Sequence, residues 1–184
     1  KSTDLLRVGR QPAAYEDDEA TAVLAGELGL SFEGRPPFGA SDRESAQHLQ
    51  DSLNRAKFLL AFSTSVSPAP YTHPTKEYIT GRWTDALASG VTVVGKVPNT
   101  TTVREILWDG ATIDIDHADA RAGLAQVADA VSRWTPAQGE QQLRQALQHL
   151  DWRHRFVQLC EAMGEVPASL TADCETMRAQ YVQR

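Results

Sequence analysis

Hydrophobic and polar positions follow two alternating rhythms through the first two-thirds of the chain. The run Phe58-Leu59-Leu60-Ala61-Phe62, within Lys57 to Ser63, predicts a strand buried on both faces. Val91 to Val97, rich in valine, predicts another, and Leu5 to Gly9, Ser31 to Glu33 and Ala111 to Ile115 predict three shorter ones. Helical signals fall between them. Glu16 to Leu28 starts acidic, is rich in alanine and stops at Gly29. Ser41 with Glu44 forms a capping box that opens a helix with Ala46, Leu49, Leu53 and Ala56 on one face. A further helix ends near Ser89, before Gly90. Glu105 to Trp108 is a short helical piece, and Leu124, Val127, Val131 and Trp134 form one apolar helical stripe.

Strands alternating with helices predict parallel pairing through right-handed crossovers. The expected architecture is a Rossmann-like, doubly wound α/β fold with a mainly parallel sheet of about five strands and a C-terminal helical extension. From Thr135 the strand signals stop. Leu143, Leu147 and Leu150 mark one helix, Phe156, Leu159, Cys160 and Met163 a second, and Leu170 to Val182 a third. Residues 1–134 are thus read as the α/β domain and 135–184 as the extension.

Composition narrows the function classes. A net charge of −6 argues against a nucleic-acid binder, which gathers basic residues on one face. A phosphate ligand stays possible, because it needs only local positive charge. No run of about 18 apolar residues exists, so no membrane span is expected, nor is a signal peptide visible, and a cytoplasmic location follows as an expectation. Cys160 and Cys174 have no zinc spacing and read as idle thiols. The chain starts at Lys1 rather than Met, which suggests a fragment.

In open α/β sheets, ligands bind beyond the carboxyl ends of the strands, where strand order reverses. Four loops qualify: Arg10 to Tyr15, Arg35 to Ala40, Thr64 to Thr75 and Pro98 to Thr102. The third is long, follows the most buried strand and carries Tyr71, Thr72 and His73 before Pro74. Beyond it lie Glu77 and Asp85. On one continuous helix they would stand about 12 Å apart along the axis; alternatively Glu77 lies in the loop and Gly81 marks a bend. Lys76 and Arg82 offer countercharge to a diphosphate, the arginine through its planar fork. The plain alternative for these charges is a solvated helix face with i,i+4 pairing. No nucleophile elbow, dinucleotide fingerprint or Walker loop is present.

The run Asp85-Ala86-Leu87-Ala88-Ser89-Gly90 before Val91-Thr92-Val93-Val94, with Glu77 eight positions upstream, resembles the Glu-x7-Glu region of GT-B glycosyltransferases of the retaining, group 1 type. Val103 to Gly110 resembles that family's short helix and Asp-Gly turn, and Val8-Gly9-Arg10 its strand ending in Gly-Arg. Tyr71-Thr72-His73-Pro74 with Glu77 to Trp83 is most similar to the branch of CgeB-like spore-maturation proteins. The resemblance spans roughly residues 5 to 134 and implies the C-terminal, donor-binding half of such an enzyme. It implies Glu77 and Arg82 as catalytic residues, with Glu77 on the donor sugar. It implies donor binding by Arg10, His73, Thr75, Lys76 and Asp85, with Arg10 on a phosphate and Asp85 on the ribose. A nucleotide-diphosphate sugar would be the donor, with no metal or other cofactor. An acceptor-binding domain would precede this one. The chain departs from the pattern in lacking a lysine after Gly-Arg, in carrying Asp rather than Glu at 85, and in missing one strand with its glycine turn. Lys76 or Arg82 is expected to replace the missing lysine. The competing expectation is a non-catalytic α/β interaction domain with a decayed nucleotide site.

Overall fold

A computed structural model describes residues 1–181. Five strands, β1 (Thr3–Arg7), β2 (Phe32–Glu33), β3 (Ala56–Phe62), β4 (Thr92–Lys96) and β5 (Thr112–Asp114), form one sheet in the order β2-β1-β3-β4-β5. Every pairing is parallel. The α/β fold expected from the alternation is therefore present, with a sheet of five strands.

The helices are α1 (Asp18–Glu27), α2 (Asp42–Arg55), α3 (Gly81–Ala88), α4 (Thr101–Ile106), α5 (Ala120–Ser132), α6 (Pro136–His149), α7 (Trp152–Met163) and α8 (Ala168–Tyr181). Val182, placed by sequence in the last helix, lies outside the described residues. Strand periodicity divides β3 between two cores. Phe58, Leu60 and Phe62 join Ala25 of α1 and Leu124 and Val127 of α5 on one face. Leu59 and Ala61 join Leu53 of α2, Trp83, Ala86 and Leu87 of α3, and Ala146 of α6 on the other. Helix α6 also sends the buried Gln142 onto Thr92 and the Gly110 carbonyl, which ties it to the edge of the sheet.

One helix start differs from expectation, and another follows one of the two alternatives left open by the sequence. Helix α4 begins at Thr101, ahead of the anticipated Glu105, because the Thr100 hydroxyl accepts from the Val103 N–H at 3.2 Å and caps it early. Helix α3 begins only at Gly81, so the preceding loop runs on to Thr80. That loop is held by tertiary contacts described below.

The loop from β1 to α1 is anchored by Tyr15, which is fully buried against Phe62 with ring centroids 5.1 Å apart. Its hydroxyl donates to the Asp116 carbonyl beyond β5. Tyr15→Phe leaves that carbonyl unpaired and is expected to cost about 1–3 kcal/mol. A urea unfolding curve checks this; an unchanged midpoint would mean that the hydroxyl contributes nothing.

Candidate functional site

The strand order places β1 and β3 side by side while their connections leave in opposite directions, β1 toward β2 and β3 toward β4. The crevice beyond their carboxyl ends is where such sheets bind ligands. It is bounded by the β1–α1 loop, which carries Arg10, and by the long β3–α3 loop, which carries Tyr71 and Glu77 and leads into Arg82.

Arg82 closes the crevice between them. Its guanidinium donates to the Arg10 carbonyl at 3.3 Å and to the Phe62 carbonyl at 3.2 Å, so it reaches the ends of both central strands. It can do so because residue 9 is glycine. A Cβ there would meet Arg82 Cδ at 2.8 Å, and the backbone takes φ +77°, which favours glycine. The Arg10 guanidinium lies over the Tyr71 ring, 4.9 Å from its centroid. Its Nη1 is buried with no hydrogen-bond partner among the described residues. Burial, and secondarily the charge of Arg10, push the Arg82 pKa below its ordinary value. Neither arginine forms an ion pair among the described residues, unlike Arg7 nearby, which binds Asp18 at 2.6 Å. Two adjacent cations without a carboxylate suit an anion with several oxygens.

Glu77 secures the long loop. One carboxylate oxygen accepts from the Ser63 hydroxyl at the end of β3, and the other accepts from the Asn99 N–H beyond β4 at 3.1 Å. These bonds pull Glu77 out of any helix, and Gly81 marks the bend. Its separation from Asp85 along one helix axis therefore does not apply. Hydrogen bonds from Ser63, and then from Ser65, hold the carboxyl below the usual carboxylate range. Its contribution to order in the loop is present above that range and lost as the pH falls through the lowered value in the folded protein. Limited proteolysis across an acid series is expected to show this loop loosening there, and Glu77→Gln to erase that step. An identical profile in the variant would contradict it.

Asp85, one turn beyond Arg82, lines with it a small cavity of about 100 Å³ formed with Val8, Leu49 and Gly81. Burial raises its carboxyl pKa. The three remaining candidates sit on the outer part of the long loop. His73, Thr75 and Lys76 are exposed. The His73 Nδ1 accepts from the N–H groups of Thr75 and Lys76 and so serves the loop's own turn. Among the described residues none of the three bonds to Arg10, Glu77 or Arg82. The structure thus sets Arg10 beside Arg82, holds Glu77 at the neighbouring end of β3 against Ser63 and Asn99, places Asp85 with Arg82 at the small cavity, and leaves the other three apart.

No protein-family model matches the chain, and no curated protein matches it. The chemistry of the site rests on its geometry. Sequence reasoning missed three participants. Ser63 is buried at the end of β3 and holds Glu77. Gln11 is buried and donates to the Leu60 carbonyl at 3.4 Å, with its Oε1 left unpaired. Thr64 has a buried hydroxyl without a partner among the described residues. Ser63 and Thr64 follow β3 at once and Gln11 lies four residues beyond β1, so position after a central strand was the signal available for them.

Proposed function

We propose that the crevice between β1 and β3 binds the diphosphate of a nucleotide sugar, and that the chain is the donor-binding half of a glycosyltransferase. The observation that carries this reading is the pair Arg10 and Arg82 at the strand ends, neither in an ion pair and Arg10 Nη1 buried without a hydrogen-bond partner among the described residues. Helix α3 adds to it. Thr80 gives no side-chain cap and its carbonyl takes the Trp83 N–H, which leaves the N–H groups of Gly81 and Arg82 to an anion. The N-terminus of α1 offers no rival place, because the Asp17 carboxylate already accepts from Glu19 and Ala20 there.

In sugar transfer, the bond from the anomeric carbon to the diphosphate oxygen breaks and negative charge builds on the departing diphosphate. Arg82 and Arg10 would offset that charge, and the largely dehydrated surroundings of Arg82 strengthen the interaction. A carboxylate offers about four lone-pair positions. Glu77 uses three on Ser63, Ser65 and Asn99 and keeps the fourth for a hydroxyl of the donor sugar. Asp85, at the rim of the small cavity, is the acceptor for ribose hydroxyls.

Calorimetric titration of UDP, GDP and their sugars tests the reading. It predicts saturable binding for at least one diphosphate, weaker binding of the matching nucleoside, and affinity that falls as salt rises. Heat-silent titrations with all of them would instead favour an interaction domain without a working nucleotide site.

A further inference from the structure

At the opposite pole of the sheet, where the strands begin, a cavity of about 250 Å³ opens beside the corner between α5 and α6. Small-molecule pockets begin at roughly 300 Å³, so it suits a single small ring. Phe58 and Ile113 form part of its apolar lining, and Trp108 and Trp134 also line it, so two of the chain's four tryptophans meet at one cavity. Trp108 is held in place. Its indole N–H donates to Gln142 Oε1 at 2.8 Å, while the Gln142 amide donates to Thr92 Oγ1 at 2.9 Å and to the Gly110 carbonyl at 2.6 Å. A wall fixed in this way loses little freedom when a ligand arrives.

The polar groups around the cavity select the ligand class. Both nearby cations already have carboxylate partners, Arg133 in Asp129 and Lys57, which lies over the Trp134 ring, in Asp4, so neither marks the cavity as an anion site. No group of three metal-binding side chains occurs among the described residues. Asp109 and Gln141 line the cavity from exposed positions, with no side-chain hydrogen bond among the described residues. A carboxylate and a primary amide match adjacent hydroxyls, and flat indoles match a ring with one apolar C–H face. A neutral pyranose has both features. We propose that this cavity is a carbohydrate subsite that takes one neutral pyranose ring. The proposal is independent of the reading of the crevice, which lies beyond the other ends of the strands.

The test is a titration of the full 15N-labelled chain with methyl glycosides of glucose, galactose, mannose and N-acetylglucosamine. The indole N–H resonances of Trp108 and Trp134 report on the cavity, and the amides of Gly9 to Gln11 report on the crevice. At least one glycoside should shift both indole signals saturably, with Asp109→Asn and Gln141→Ala each weakening it about tenfold, the loss of one hydrogen bond. UDP should leave the indole signals unmoved. The proposal is overturned if no glycoside shifts the indoles, if shifts arise only at Gly9 to Gln11, if both variants bind as the parent does, or if UDP moves the indoles while the glycosides do not.

Discussion

Arg82→Ala is expected to lower affinity for nucleoside diphosphates roughly 30- to 150-fold, the loss of about 2–3 kcal/mol that accompanies removal of a charge-assisted hydrogen bond. The effect should be large because Arg82 would meet a diphosphate out of bulk water and already bonds to the Arg10 and Phe62 carbonyls beyond β1 and at the end of β3. Arg82→Lys restores the charge without the fork and should recover only part of the affinity. Arg10→Ala should weaken binding as well. The double variant should fall short of the sum of the two, since the cations share one ligand and Arg82 rests on the Arg10 backbone. Calorimetry on the parent and the four variants gives these values, and thermal melts check that each remains folded. Equal affinity in the parent and Arg82→Ala would remove the arginine from the site.

Gly95→Ala is expected to bring the largest loss of stability, more than about 4 kcal/mol, in the range reserved for severe backbone conflict. Gly95 sits in β4 directly opposite Ala61 of β3. An added Cβ would come within 1.9 Å of the Ala61 carbonyl oxygen, with φ already at +146°. That oxygen belongs to a central strand paired on both sides, so it cannot retreat without parting the sheet. The register of β3 and β4 also sets Ser63 and Asn99 around Glu77, so the crevice would be lost with the fold. Urea unfolding followed by far-ultraviolet circular dichroism measures the loss. A midpoint matching the parent would show that β3 and β4 do not pair as described.

The architecture was legible because each buried strand announces itself locally. Five consecutive apolar residues in β3 and the valines of β4 require cover on both faces, and the intervening helical stripes supply it. The start of α3 was legible only as one of two alternatives. Gly81 offered a bend, but what decides for it is Glu77 bonded to Ser63 and Asn99, both remote in sequence. The same limit applies to the site. Arg10 and Arg82 were identifiable as cations near strand ends, but the stacking of Arg10 on Tyr71 and the seating of Arg82 over Gly9 arise only when two distant loops meet. His73, Thr75 and Lys76 lay close to Glu77 in sequence, yet proximity along an exposed loop did not carry them to the strand ends.

The most direct measurement is a map of backbone and arginine Nε chemical shifts of the 15N-labelled chain as UDP is added. Binding at the junction of β1 and β3 should concentrate the changes at Gly9 to Gln11, at Ser63 and Thr64, and at Arg82 Nε. Shifts scattered over the surface, or none at saturating UDP, would contradict the claim that the paired arginines form an anion seat.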